Sequence, residues 1–206
     1  MLSGKVKQEL SNGGKDGNVM AKVIVFNGTP RKNGNTKKLI DQVISGARSV
    51  GAEVSFYDLN DSGVRGCQGC YYCRKNEGCS IKDDTLAPMY EDIKNADGIV
   101  FGSPVYFYQI TGQAKMWMDR MFPMVVGMDM KPRYPGKKFV TIFAQGNPDP
   151  NRHGEIMEFV NNIFKGFGWN MTDCIISAGS TNPEYQIPQE QLDQAFEDGK
   201  RLVGSL

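Results

Sequence analysis

The sequence predicts an α/β fold: a doubly wound, five-stranded parallel sheet with helices on both faces. Two observations carry this. Short β-branched and aromatic runs alternate five times with stretches of helical periodicity, the pattern of strand–helix units. The strand runs are apolar throughout, as expected of strands covered on both faces. No internal repeat, low-complexity block or linker interrupts the pattern, and 206 residues are enough for one large domain with a sizeable core.

Residues 1–20 are polar and glycine-rich, with a single helical turn possible at Lys5–Leu10. They read as an N-terminal extension, flexible or docked on a neighbouring subunit, ahead of a domain spanning 21–206. Ala21–Asn27 (AKVIVFN) is the first buried strand. Thr36–Val50 is a helix, with Leu39, Ile40, Val43, Ile44, Ala47 and Val50 on one face and Gly51 as its stop. Glu53–Leu59 is the second strand, and a cysteine-bearing loop over 66–82 follows it. Asp83 or Asp84 is placed to cap a helix reaching about Ala96, with Met89 and Ile93 inward. Gly98–Ser103 is the third strand. Thr111–Phe122 is a helix whose Ala114, Trp117, Met118 and Met121 stripe reads as core or subunit interface. Val125–Lys137, punctuated by glycine and proline, reads as irregular. Lys138–Gln145 is the fourth strand and Met171–Ala178 the fifth. A helix with Ile156, Phe159, Val160, Ile163, Phe164 and Phe167 lies between them, and another with Leu192, Ala195, Phe196, Leu202 and Val203 ends the chain.

The composition excludes several function classes. A formal charge of +1 offers no basic surface for nucleic acid. No apolar run approaches the ~20 residues of a membrane span. The N-terminal stretch has no apolar core of a secretory signal, so a cytoplasmic location is expected, where clustered cysteines hold metal or do redox work. No Ser–His–Asp or paired-carboxylate arrangement supports hydrolysis. His153, the one histidine, reads as solvent-exposed, and Cys174, in the fifth strand, as a buried inert thiol.

Parallel α/β sheets bind ligands beyond the carboxyl ends of their strands, near the point where strand order reverses. The loop after the first strand is Gly28-Thr29-Pro30-Arg31-Lys32-Asn33-Gly34-Asn35-Thr36. It fits neither the Walker A nor the Gly-x-Gly-x-x-Gly pattern. It does supply hydroxyls on Thr29 and Thr36, a guanidinium on Arg31, and a helix N-terminus at Asn35 and Thr36, all suited to a phosphate. After the third strand, Ser103–Ile110 places Tyr106, Phe107 and Tyr108 in succession, able to wall a planar ring or to pack at an interface. After the fourth, Ala144–Pro150 supplies amides and side-chain dipoles. Together the three loops describe a mononucleotide site with a planar base.

Cys67, Cys70, Cys73 and Cys79 fall within thirteen residues, spaced two, two and five apart. The segment has no apolar periodicity to bury them, so they meet through a shared metal centre or through disulfides, and the reducing compartment disfavours disulfides. Gly66, Gly69 and Gly78 permit the tight turns that four converging thiolates need for a [4Fe–4S] cluster. Structural zinc sites usually pair two more widely separated halves, which leaves zinc as the second reading.

GTPRKNGNT, SPVYFYQITGQAKMWMDR and FAQGNPD resemble, in order, the three flavin loops of the NADPH-dependent FMN reductase and iron-sulfur flavoprotein families. The resemblance covers about Ala21 to Ala178 and implies a flavodoxin-like fold. It implies that Thr29, Arg31, Asn35 and Thr36 hold the FMN phosphate, with Asn33 in the same loop. Thr29 keeps the hydroxyl of the serine often found there. By the same resemblance Pro104, Val105, Tyr106, Phe107, Gln145, Gly146 and Asn147 contact the isoalloxazine. The cysteine run resembles the Cys-x2-Cys-x2-Cys-x5-Cys motif that ligates a [4Fe–4S] cluster in the iron-sulfur flavoproteins. The implied protein is an FMN-dependent oxidoreductase passing electrons between cluster and flavin, the flavin carrying the chemistry. The alternative is an NAD(P)H-dependent FMN, quinone or azo reductase with a structural cysteine loop. The implied partners are a ferredoxin-like donor or NAD(P)H, a small-molecule acceptor, and further copies of the chain in a homodimer or homotetramer.

Overall fold

The computed structural model describes residues 20–61 and 63–204. Five parallel strands form the sheet: β1 (Lys22–Asn27), β2 (Glu53–Asp58), β3 (Gly98–Tyr106), β7 (Lys138–Gln145) and β8 (Asn170–Ala178). They lie in the order β2-β1-β3-β7-β8, the flavodoxin-like arrangement, whose strand order reverses between β1 and β3. Between them run α1 (Asn35–Ser49), α2 (Met89–Asn95), α3 (Gly112–Asp119), α4 (Gly154–Gly166) and α5 (Gln189–Arg201). Two short hairpin pieces complete the set. One is β4 (Gln109–Ile110), antiparallel on β3; the other pairs β5 (Val125–Val126) with β6 (Lys131–Pro132).

Successive strand residues point to opposite faces, and each face has its own core. Phe26, Phe101, Phe139 and Phe143 pack with Trp117 and Phe164, under α2, α3 and α4. Val25, Val100, Val140 and Ile142 pack with Leu39, Val43 and Ala195, under α1 and α5. The α1–α5 contact is close enough to need glycine on both helices. A Cβ on Gly46 would stand 1.9 Å from the Phe196 carbonyl oxygen, and one on Gly199 would stand 2.0 Å from that of Val43. This crossing fixes α1, and so aims its N-terminus at the sheet edge where ligands bind.

Several expectations change in detail. β3 runs past Ser103 to Tyr106 and gains β4 as a partner. α3 ends at Asp119, and Phe122 belongs to a separate 3₁₀ turn, Phe122–Met124. Trp117, Met118 and Met121 are core. Neither Asp83 nor Asp84 caps α2, which starts at Met89 behind Pro88; Asp84 is bound to Arg120 instead. Val125–Lys137 carries the β5–β6 hairpin where irregular chain was expected. Cys174 is half-buried at the edge of the core, not sealed within it. The helical turn expected at Lys5–Leu10 and nearly all of the 1–20 extension lie outside the described residues.

Candidate functional site

At the carboxyl edge of the sheet, beside the β1–β3 switch point, a cleft of about 420 Å³ is lined by Thr29, Arg31, Asn33, Asn35 and Thr36 on one side. Pro104, Tyr106, Ala144, Ser180, Asn182, Pro183 and Tyr185 line the other sides. Its volume is that of a small-molecule site. The N-cap residue of α1 is Gly34, which has no side chain to cap the helix, and no acidic residue stands in the first turn. The first-turn amides and the positive end of the helix dipole are therefore free for an anion. Thr29 and Thr36 are buried at this end. The Asn27 side chain sets the turn: it accepts from the Thr29 amide and donates to the Thr29 carbonyl, both at 3.3 Å. The Arg31 amide donates to the Thr29 hydroxyl oxygen at 3.2 Å. Thr111 donates its hydroxyl to the Gly28 carbonyl at 2.7 Å, locking the turn to the start of α3. Among the described residues no carboxylate lines the cleft. Buried hydroxyls, a guanidinium and uncapped amides make a donor set that fits a phosphate.

Seven of the twelve residues expected to hold the flavin line this cleft: Thr29, Arg31, Asn33, Asn35, Thr36, Pro104 and Tyr106. Val105 instead leans on the core. Phe107 is 97% exposed at the tip of the β3–β4 hairpin. Phe107 and Tyr108 both have positive φ (46° and 64°), a conformation unusual for residues with a Cβ. Tyr108 lies edge-on to half-buried His153, ring centroids 5.3 Å apart. Gln145 is buried and turned into its own loop, its amide nitrogen donating to the carbonyls of Asn147 (3.3 Å) and Asp149 (2.5 Å). The Asn147 side chain accepts from the Asp149 amide at 2.9 Å. Gly146 packs where a Cβ would come within 2.6 Å of Thr181. These three residues shape the loop after β7 and do not line the cleft.

Sequence reasoning missed the loop after β8. Ser180 and Thr181 donate their hydroxyls to the carbonyls of Gln145 (3.0 Å) and Gly146 (2.8 Å). Tyr185 and Ser177 share a hydroxyl–hydroxyl bond of 3.0 Å. The rule that ligands sit beyond strand ends applied to the fifth strand as well, and GSTNPEY has the polar turn chemistry to signal it.

The cysteine loop follows β2, the edge strand, and the same four cysteines line a second cavity of about 580 Å³. All are free thiols, Cys67 and Cys70 exposed, Cys73 and Cys79 half-buried. Gly69, Gly78 and also Tyr71 take positive φ in this turning chain, whereas Gly66 does not. Burial pushes the Cys73 thiol up, and the nearby Cys79, Cys67 and Cys70 add to that. A hydrogen bond with the Ser80 hydroxyl (3.1 Å), then one from the Tyr72 amide, lower exposed Cys70. Among the described residues no three His, Cys, Asp or Glu side chains converge as a single-ion site.

Two arginines tie this loop down. Arg120, with a fully buried side chain, forks onto Asp84 at 2.6 and 3.3 Å and donates to the Arg65 carbonyl at 2.8 Å, closing the neck of the loop. Its Nε donates to the Tyr90 hydroxyl at 3.2 Å. Burial alone would raise the Asp84 carboxyl, but Arg120 and the Arg65 amide outweigh it and hold the group below its ordinary value. Arg133, from the segment after β6, donates to carbonyls of Pro123, Cys73 and Asn76.

The model of NADPH-dependent FMN reductases matches residues 21–150. An iron-sulfur flavoprotein of Methanocaldococcus jannaschii is 37% identical over 128 residues, 62% of this chain and 66% of that protein, just under two thirds of its length. An iron-sulfur flavoprotein of Archaeoglobus fulgidus is 28% identical over 182 residues, 88% of this chain and 79% of that protein. Among solved structures, an NAD(P)H:quinone oxidoreductase from Methanothermobacter marburgensis superposes with a TM-score of 0.72 at 18% identity, covering 89% of this chain and 99% of its own. That likeness speaks for the flavodoxin-like fold. With the family match running through the turn after β1, the cysteine loop and the β7 loop, the chain belongs to the NADPH-dependent FMN reductase family.

Proposed function

We propose that the protein is an FMN-dependent oxidoreductase that passes electrons between FMN in the cleft and a [4Fe–4S] cluster on Cys67, Cys70, Cys73 and Cys79. The single observation that carries the flavin half is the uncapped, acid-free N-terminus of α1 facing buried Thr29 and Thr36 and the Arg31 side chain. In this reading Thr29, Arg31, Asn33, Asn35 and Thr36 hold the phosphate. Pro104, Val105, Tyr106 and Phe107 border the ring, and Gln145, Gly146 and Asn147 form the opposing loop. FMN, when bound, supplies exchange of one or two electrons, and the cluster supplies exchange of one.

The cluster half is supported by four free thiols on one cavity, by their mutual electrostatic effect on Cys73, and by relatives named as iron-sulfur flavoproteins. Such ligand sets commonly close around the metal only as it binds. The chain's own residues exclude water on the inner side of the loop, where Met118, Met121 and Phe167 line the cavity. NAD(P)H or a ferredoxin-like protein is the donor, a small molecule the acceptor, and a homodimer or homotetramer the assembly. No helix among the described residues is long and apolar enough to cross a membrane.

Anaerobic purification with FMN, iron, sulfide and zinc counted per chain tests this. About four irons and four sulfides with one FMN is the expected result. Less than one iron beside stoichiometric FMN overturns the cluster, and an absence of bound FMN overturns the flavin. The second reading, an NAD(P)H-dependent reductase with a structural loop, is favoured by the fold shared with the quinone oxidoreductase. Rapid bleaching of flavin by NADPH alone, in stopped flow, would select it.

A further inference from the structure

The segment Val125–Lys137 has no place in the flavin cleft, yet it is firmly built. Trp169 donates its indole N–H to the Tyr134 carbonyl at 3.0 Å, and Gly136 N–H donates to the Gly168 carbonyl at 2.8 Å. Lys137, buried, donates to the carbonyls of Lys94 (3.1 Å) and Ala96 (2.8 Å) at the end of α2. One end of the segment is therefore fixed to the core. The other reaches out over the cysteine loop.

Its contacts there fall on the stretch between the third and fourth cysteines. Arg133 donates at 2.8 Å to Pro123 O, at 3.3 Å to Cys73 O and at 3.4 Å to Asn76 O. The Tyr134 hydroxyl donates to the Glu77 carboxylate. In return Arg74 donates to Gly127 O at the hairpin turn and lies over the Phe122 ring, 4.3 Å from its centroid. Cys79 is held independently, packed against the core cluster. Cys73 is outside that cluster, in the local 3₁₀ turn Tyr72–Arg74, and the five residues between it and Cys79 would on their own allow a separation of up to ~20 Å. The guanidinium joins three carbonyls from two separate segments, which a lysine's single ammonium cannot span with the same planar geometry.

We propose that Arg133 is the positioning residue of the cysteine loop, holding Cys73 at a set distance from Cys79 so that the four thiols meet one metal–sulfur body. The hairpin segment is its platform, and Tyr134 a secondary tie. This rests on the cluster reading above. Outer partners that orient metal ligands typically contribute 10- to 100-fold in affinity.

The test compares wild type, Arg133→Met, Arg133→Lys and Tyr134→Phe. Three quantities are read: iron and sulfide per chain with the rate of iron loss to a chelator, hydrogen exchange over residues 73–78, and FMN content. Arg133→Met is expected to lose iron about 10- to 100-fold faster, with faster exchange at 73–78, unchanged exchange in β3 and unchanged FMN. Arg133→Lys should fall between it and wild type. Wild-type iron loss and wild-type exchange in Arg133→Met would overturn the proposal. If Arg133→Met loses FMN as well and so fails to fold, Tyr134→Phe decides: a smaller change in the same direction supports the clamp, and none overturns it. If the wild type holds neither iron nor sulfide, the cluster reading falls. The clamp then stands or falls on hydrogen exchange alone.

Discussion

The cleft at the β1–β3 switch point, proposed above to hold FMN, and the cysteine loop sit on the same edge of one sheet but are built in different ways. Every wall of the cleft is a strand end or the turn attached to it, and α1 presents its uncapped backbone amides simply by starting there. The cysteine loop is a long connection from β2 to α2, held by side chains from far along the chain. Arg120 reaches back 55 residues to Arg65, and Arg133 reaches back 60 to Cys73. A site made of strand ends inherits its geometry from the sheet. A site on a long loop must acquire it from outside, and the two arginines supply it here.

The sharpest way to break that comparison is to remove a ligand. Cys70→Ser is expected to abolish bound iron and sulfide while leaving one FMN per chain, measured on anaerobically prepared protein. Loss of both together would mean that the loop helps to build the cleft. Next in size is Arg120→Met. It strands the buried Asp84 carboxylate, and breaking a buried pair in this way costs about 3–5 kcal/mol. Urea unfolding should show that loss, and limited proteolysis should open the cysteine loop first. A loss below about 1 kcal/mol would show the neck to be held by other contacts.

The same contrast explains what was legible in the sequence. Strand runs such as AKVIVFN and KFVTIFAQ are apolar throughout, so the five parallel strands could be read, and the turn after the first pointed to one side of the cleft. Asn27 escaped notice because its role is to shape the turn from inside the strand. An amide at a strand end, as in Gln145, suits a ligand or its own loop equally well; only the folded loop shows its nitrogen engaged with Asn147 and Asp149. Asp84 looked like a cap because its spacing to a helix is local, whereas its partner Arg120 is 36 residues away. Nothing in Val125–Lys137 taken alone could reveal its purpose, since that lies in contacts to Cys73, Asn76 and Glu77.

A third region sharpens the comparison by acting on α1 from behind. Asp198 of α5 is fully buried, with one carboxylate oxygen lacking a hydrogen-bond partner. Burial pushes its pKa from 3.8 up to about 6, nearby Asp173 adds to this, and Arg201 pulls partly against it. The unfolded chain therefore releases this proton at lower pH than the folded one. The stability contributed by this group is fully present below the unfolded value and is lost as pH rises from about 4 to about 6, by roughly 3 kcal/mol at most. Asp198→Asn should flatten that decline in urea midpoints measured across the range. FMN affinity that follows the same pH curve would show that the α1–α5 crossing transmits to the cleft; affinity that ignores it would confine the cleft's geometry to the turn itself.

The smallest expected effect tests the cleft on its own terms. A hydrogen bond from a charged group contributes about 1.5–3 kcal/mol, so Arg31→Ala should raise the FMN Kd about 10- to 100-fold by fluorescence titration. Iron and sulfide should stay at wild-type levels, because Arg31 lines only the flavin cleft. The salt dependence of FMN binding should also weaken, since one cation facing the phosphate is gone. A Kd within about twofold of wild type would instead leave the anion to the α1 amides and the buried Thr29 and Thr36 hydroxyls. That outcome would widen the contrast with the cysteine loop: one site would then hold its ligand without any charged side chain, while the other depends on two.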